Sequence, residues 1–254
     1  MEIALENRNG SINERELAFL CAAITKQMRE HFAPNWQEEP WVIKPYKRLE
    51  GLSVGSFWPV SILPDLGHPG SSDWAHWEPG LAYGCLRWNP RGPQPISVEA
   101  SHICLELRMD PRCMRWVHIG EGCFGAVEIC DPVEADTYEI EVTAFGEKKA
   151  VPVSDFLLPS YFVRGAKRPY SFLDRVDSTI HERGLSRQGK GYLIVRLPHG
   201  EVIEWWGHRA FGLVNRKAPP AWRKGEDYLS RIFKRKMGVI GEIANFSDKL
   251  VEDM

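Results

Sequence analysis

The strongest periodic pattern of apolar residues predicts a helix over residues 11–32. Apolar positions recur there every three or four residues, which places them on one face of a helix. They are Leu17, Leu20, Cys21, Ile24, Met28 and either His31 or Phe32. Ser11 is the expected N-cap, because Glu14 follows it at the spacing of a capping box. Pro34 is expected to end the helix.

Shorter apolar segments bounded by proline and glycine predict strands. Single strands are expected at residues 41–43, 52–63, 81–88 and 125–129, and hairpins at 138–153 and 192–206. Residues 64–80 are expected to form a long loop. The order of helix, strands, second helix and hairpins predicts an α+β fold, with both helices on one side of a small mixed sheet.

The second helix is expected to begin at Ser97 as its N-cap and to end before Pro111, and it carries ionisable residues on a buried face. His102, Glu106 and Asp110 stand four residues apart and so spread over only about 80° of the helix circumference. We call these three residues the polar seam. Apolar residues flank the seam on both sides: Ile103, Leu105, Leu107 and Met109.

One interpretation of the polar seam is structural. Burying such groups is costly unless they are paired, hydrogen-bonded or bound to a metal. Asp110 also places a negative charge at the unfavourable end of the helix dipole, so a nearby group must compensate it. The candidate partners for the seam are three arginines within and just after it: Arg108, Arg112 and Arg115.

The other interpretation is a metal or catalytic site. A histidine and an acid one helical turn apart can bind one ion, and zinc accepts such nitrogen and oxygen ligands. The polar seam offers His102, Glu106 and Asp110, and the acidic segment further along the chain offers Glu128 or Asp131 as another ligand.

The position after the histidine lacks a proton acceptor. In HExxH peptidases a glutamate directly after the first histidine deprotonates the metal-bound water. Here that position is Ile103, so hydrolysis would need another base, such as Asp110 or Glu134.

Three blocks of the sequence resemble a family of poorly characterised bacterial and bacteriophage proteins. They are Ser101-His102-x-x-x-Glu106-x-x-x-Asp110-Pro111, the run from Glu128 to Glu134, and Val153-Ser154-Asp155-Phe156-x-x-Pro159. Further similarity lies at Tyr138-Glu139-Ile140 and at Gly191-Tyr192-Leu193, so the resemblance covers roughly residues 80–195. It implies a zincin-like, metallopeptidase-type fold and no particular substrate.

The chain departs from the family pattern at two positions. Ile103 replaces the acid that follows the histidine, and Tyr83 is followed by Gly84 where the family has a histidine. We therefore expect a retained scaffold with a degenerate reaction centre: a non-catalytic structural or interaction protein, such as a phage virion component. The alternative is a zinc-dependent hydrolase with His102 and Glu106 as ligands.

The composition bears on the cellular location and on the class of binding partner but does not identify the function. The 254-residue chain has a net charge of −2, which creates no overall field for nucleic acid or membranes. It has no apolar run long enough to span a membrane and no secretory signal, so we expect a location in the cytoplasm, or in the virion for a phage-encoded protein.

The six cysteines include no CxxC pair. A site formed by Cys113, His118, Cys123 and Cys130 is conceivable, but reduced, buried thiols are more common in a cytoplasmic protein.

The sequence predicts a zincin-like domain over residues 1–204 and a basic extension with a terminal helix over residues 205–254. Between Trp205 and Lys236 there are nine lysines or arginines and two acids. Such a segment is typical of one that binds a protein partner or, less strongly, nucleic acid, although a solvated basic helix is the more common alternative.

Overall fold

The computed structural model describes residues 2–7, 10, 12–46, 57–63, 73–78, 81–87, 94–111, 115–200 and 202–206. Several predicted features lie outside these ranges: the Ser11 cap, Arg112 and Cys113 as site partners, and the basic extension from residue 207 onward.

The first half of the chain forms a mixed five-stranded sheet. Its strands are β1 (Glu2–Asn7), β2 (Val42–Tyr46), β3 (Phe57–Leu63), β4 (Asp73–Glu78) and β5 (Leu81–Arg87). Their order is β2-β1-β3-β5-β4, in which β4 alone runs antiparallel, at the edge beside β5. β1 lies between β2 and β3, and its Ile3, Ala4 and Leu5 are fully buried, as expected for a strand covered on both faces.

Two of these strands differ from the prediction. β1 was not expected, because an apolar run of three residues is too short to distinguish from a loop. The predicted loop over residues 64–80 is wrong for its second part, because residues 73–78 pair with β5 as β4.

The first helix is longer and less regular than predicted. α1 (Glu14–Lys26) continues into a π-helical turn at Gln27–Phe32 and a short α2 (Ala33–Trp36). Asn13 is the N-cap, since its side-chain oxygen accepts from the Glu16 backbone N–H at 2.8 Å. The prediction that Pro34 ends the helix is wrong, because the helical segment continues through Pro34 to Trp36.

The second helix, α3 (Ile96–Met109), lies at the centre of the molecule. It packs on β5 and β4 and on the strand β9 (Glu147–Ser154), and it contacts α1, which packs on β2 and on the strand β8 (Thr137–Ala144). Ser97 is a buried residue of the first turn rather than the N-cap, a position that Pro95 occupies. The helices therefore form a layer between the mixed sheet and the β8–β9 hairpin.

The second half of the chain is antiparallel. β8 (Thr137–Ala144) and β9 (Glu147–Ser154) form one hairpin, and a four-stranded sheet has the order β11-β10-β7-β6. Its strands are β6 (Trp116–Gly120), β7 (Cys123–Ala126), β10 (Leu193–Arg196) and β11 (Val202–Trp205). Both predicted hairpins are confirmed, whereas the strand expected at residues 125–129 ends at Ala126 and pairs with the unpredicted β6.

One hydrophobic core connects the mixed sheet, the helices and the antiparallel sheet. Leu5, Ile24, Leu105, Ile129 and Val195 all belong to it and are fully buried. The mixed α+β fold is therefore confirmed. Among the described residues, no helix is both long and apolar enough to cross a membrane.

Asp155, just after β9, forms hydrogen bonds that hold the chain in place there. Its backbone N–H donates to the Asp136 carbonyl at 2.8 Å, and its Oδ1 accepts from the backbone N–H groups of Phe156 at 2.8 Å and Leu173 at 3.1 Å. Burial raises the pKa of the Asp155 carboxyl to about 7, although these backbone hydrogen bonds oppose the rise.

We expect Asp155→Asn to remove a pH dependence of stability. A carboxyl whose pKa is raised in the folded state stabilises the fold at low pH, and that contribution is lost as pH rises through about 7. Asparagine keeps an acceptor oxygen and does not titrate. At about 1.4 kcal/mol per pKa unit, wild type should lose roughly 2–3 kcal/mol relative to the variant between pH 5 and pH 8. Urea unfolding of both proteins at several pH values measures this, and parallel stability curves would contradict it.

Candidate metal centre

α3 presents His102 and Glu106 on the same face, one turn apart. His102 Nε2 lies 3.2 Å from Glu106 Oε1, and only 7% and 10% of the two side chains are exposed. Both are held rigidly, because every residue of α3 from Ser97 to Leu107 is buried. The predicted face of the helix is thus the one that carries the site.

A short 3₁₀ turn (Asp131–Val133) brings a second carboxylate to the same histidine. Asp131 Oδ1 lies 3.2 Å from His102 Nε2, and the Cys130 backbone N–H donates to Glu106 Oε1 at 3.4 Å. The turn is therefore joined to α3 at two adjacent residues. The other oxygen of Asp131, Oδ2, is buried and has no hydrogen-bond partner among the described residues.

The three side chains match the requirements of a small divalent cation. One ligand atom from each of His102, Glu106 and Asp131 lies within 4.8 Å of the other two. One imidazole nitrogen and two carboxylate oxygens form a donor set that Zn²⁺ accepts. Asp131 Oδ2, which finds no donor in the described part of the chain, supports the fit, because a buried carboxylate oxygen without a donor is costly and a cation would satisfy it.

The electrostatics of Asp131 lead to the same conclusion. Burial raises the pKa of its carboxyl well above the ordinary value, and the charges of Glu106 and Glu128 raise it further, while His102 opposes them. Two or three acids close together in a buried space repel each other unless protons or a cation neutralise them.

The structure places the other two predicted ligands outside this group. Asp110 is the C-cap of α3, and its Oδ2 accepts from the Arg115 backbone N–H at 2.7 Å. A backbone donor therefore provides compensation at the negative end of the helix dipole. Glu128 is half-buried and close enough to raise the pKa of Asp131, but its carboxylate is not part of the group.

Pairing of the polar seam with arginine side chains is not observed in the described part of the chain. The Arg108 guanidinium instead pairs with the Glu38 carboxylate and lies 4.8 Å from the ring centroid of Trp41. Arg115 contributes its backbone N–H to Asp110.

The cysteine-rich alternative receives no support from the residues that are described. Cys123 and Cys130 are buried free thiols, whereas His118 is exposed and packs edge-on against Phe124. In the described ranges, no group of three candidate ligands includes them. Burial raises the pKa of the Cys130 thiol well above its ordinary value, which is typical of an inert structural cysteine.

A buried serine contact holds the site helix in place, and the sequence analysis did not identify it. Ser101 Oγ accepts from the Ser154 backbone N–H at 2.7 Å and donates to the Val98 carbonyl at 2.9 Å. The residue before His102 is therefore tied to the end of β9. Serine directly before the histidine is the only sequence signal, and it does not indicate the partner.

Comparison of the chain with protein-family models, with curated proteins and with solved structures gives no match. The geometry of the site is therefore the basis on which a function can be inferred.

His102→Ala should destabilise the protein much more than His199→Ala. Removing the imidazole leaves the two buried carboxylates of Glu106 and Asp131 facing each other, and breaking a buried pair costs about 3–5 kcal/mol. His199 is exposed in the β10–β11 turn, where substitutions usually change stability by less than about 0.5 kcal/mol. Thermal and urea unfolding without added metal measure both, and equal stabilities would contradict the role of His102.

Proposed function

We propose that this chain is a non-catalytic structural or interaction protein. We propose further that it binds one divalent metal ion, preferably zinc, through His102, Glu106 and Asp131. The observation that carries the proposal is the convergence of these side chains within 4.8 Å in a buried site, where Asp131 Oδ2 has no donor among the residues that the structure describes. The bound ion would join α3 to the turn at Asp131.

The burial of the site favours a structural role over a catalytic one. Structural zinc sites are closed, whereas catalytic sites keep a position open to substrate and water. The His102, Glu106 and Asp131 side chains are 7%, 10% and 3% exposed. Ile103, at the position of the missing acid, is 2% exposed and belongs to the hydrophobic core.

The proposal includes the zincin-like scaffold that the sequence resemblance implies. Its support is the position of the ligand-bearing helix, which packs on β5 and on the antiparallel edge strand β4 of the mixed sheet. A degenerate metallopeptidase-like scaffold of this kind would retain the metal and lose the reaction.

The partners belong to the proposal as well. Residues 205–254 carry the strongest local excess of positive charge, with nine basic and two acidic residues between Trp205 and Lys236. We propose that this segment binds an acidic protein surface, as in the assembly of a phage particle in the host cytoplasm.

A metal-dependent hydrolase is the second candidate, and one observation favours it. Three protein ligands leave one position of a tetrahedral ion for water, as in catalytic zinc sites. An assay for metal-dependent cleavage separates the two candidates.

Purified protein stripped with a chelator should take up one equivalent of zinc. Asp131→Asn should weaken zinc binding by about 100-fold or more, because it replaces one of three ligands, a charged carboxylate, by a neutral amide that binds zinc poorly. Asp177→Asn is the matched control: Asp177 is an exposed aspartate that pairs with Arg168 and Arg187, and its variant should bind like wild type. Titration calorimetry with zinc alone measures all three. A wild type that binds no zinc, or an Asp131→Asn variant that binds normally, would contradict the proposal.

Zinc-loaded wild type should show no chelator-sensitive cleavage of casein. A positioned base contributes about 10²–10⁴-fold in rate, and Ile103 supplies none. Ile103→Glu should introduce or raise cleavage if the scaffold still supports the chemistry, and Ile103→Gln is the control of the same size. Both variants must first show a cooperative melting transition, because Ile103 is buried. Efficient cleavage by wild type that a chelator abolishes and added zinc restores would establish the hydrolase instead.

A further inference from the structure

The segment that leads into β10 holds the ligand-bearing turn by its backbone. The Tyr192 N–H donates to the Asp131 carbonyl at 3.1 Å, and the Ser186 N–H donates to the Pro132 carbonyl at 2.9 Å. Asp131 thus has its side chain at His102 and its main-chain carbonyl fixed by a segment some sixty residues later in the chain. The position of its carboxylate depends on both.

Gly191 is the point of closest approach between this segment and the turn. A Cβ at Gly191 would lie 2.1 Å from the Pro132 carbonyl oxygen, 2.4 Å from the Pro132 carbonyl carbon and 2.9 Å from the Asp131 carbonyl oxygen. These are backbone atoms, which cannot rotate away as the end of a flexible side chain can. Glycine is therefore required here for close backbone approach.

From these contacts we infer that Gly191 is the positioning residue of the metal centre, an inference that rests on the proposed function. Any side chain at Gly191 would force the backbone of the Asp131–Val133 turn and the segment at Gly191 apart by more than about 1 Å, since ordinary contacts to a Cβ exceed 3.4 Å. Metal–ligand distances tolerate only about ±0.2 Å. His102 and Glu106 lie on α3, a separate element from the turn that Gly191 abuts, so the displacement would separate Asp131 from the other two ligands.

Gly184 offers a matched control. A Cβ there would lie 2.1 Å from the Ser178 carbonyl oxygen and 2.6 Å from its carbonyl carbon, a clash with backbone of the same severity. That clash involves neither Asp131 nor Pro132. Gly184→Ala therefore measures how much a comparable backbone clash costs the fold as a whole.

The experiment compares zinc binding and thermal stability of full-length wild type, Gly191→Ala and Gly184→Ala. Both variants should melt at lower temperature than wild type without metal. At a temperature at which all three are folded, Gly191→Ala should bind zinc at least about tenfold more weakly than wild type, in the range known for loss of groups that orient ligands. Gly184→Ala should bind within about twofold of wild type. Cobalt substitution gives a second readout, because the visible absorption of bound Co²⁺ should change in Gly191→Ala only.

A second pair of variants keeps the inference testable if Gly191→Ala does not fold. Tyr192→Pro removes the N–H that holds the Asp131 carbonyl, whereas Tyr192→Ala keeps that N–H and removes only the ring, which stacks on Trp206. Zinc affinity should fall at least about tenfold from Tyr192→Ala to Tyr192→Pro.

The outcomes separate the two proposals. Wild type that binds no zinc overturns the proposed function and this inference with it. Wild type that binds zinc, together with a folded Gly191→Ala of unchanged affinity or equal losses in Gly191→Ala and Gly184→Ala, overturns the positioning role alone. Equal affinities of Tyr192→Ala and Tyr192→Pro would do the same.

Discussion

The burial of α3 is the constraint on which the rest of the structure depends. The helix lies between the mixed sheet and the β8–β9 hairpin, and nearly all of its residues are removed from solvent. Every polar group that it carries must therefore find a partner inside the protein. The Ser101 hydroxyl accepts from the backbone N–H at the end of β9, and the Arg108 guanidinium contacts Glu38 and Trp41. The Asp110 carboxylate accepts from the Arg115 backbone N–H.

His102 and Glu106 satisfy the same constraint in a different way. They meet a carboxylate from a separate turn, and two acids share one imidazole. The charges of Glu106 and Glu128 add to burial in raising the pKa of the Asp131 carboxyl, and within the described ranges Asp131 Oδ2 has no hydrogen-bond donor. A divalent cation would satisfy the site, and it would also link the first half of the chain to the antiparallel second half. A bound metal would therefore stabilise the fold rather than catalyse a reaction. Ile103, next to His102 in sequence, is in line with this role because it offers no proton acceptor.

The sequence was sufficient to predict α3 and its polar seam because the pattern is local. Residues four apart on a helix share a face regardless of the tertiary fold, and Asp110 before Pro111 marks the end of the helix. The β8–β9 and β10–β11 hairpins were predictable for a similar reason. Each turn contains a glycine, Gly146 or Gly200, that adopts the positive φ of a tight turn. β1 was not, because its three-residue apolar core becomes a strand only through pairing with β2 and β3.

The third member of the site shows where sequence reasoning stops. Glu128 and Asp131 were equal alternatives in the sequence, three residues apart in one acidic segment. The choice depends on the 3₁₀ turn at Asp131 and on the close approach of Gly191 and Tyr192, which lie about sixty residues later. Spacing along the chain contains no information about that packing. The same holds for the π-helical turn at Gln27–Phe32, which the apolar pattern did not predict and within which the Gln27 side chain donates to the Ser154 carbonyl.

X-ray absorption at the zinc edge tests the central claim most directly, because it reports the ligands of the ion rather than its presence. For protein loaded with one equivalent of zinc, the account predicts a first shell of nitrogen and oxygen only, at about 2.0–2.2 Å, with the outer-shell signal of a single imidazole. That imidazole signal should disappear in His102→Ala. A sulfur scatterer at about 2.3 Å would place the ion on a cysteine, and a shell of water oxygens without imidazole would mean that zinc does not occupy this site. Either result would contradict the account.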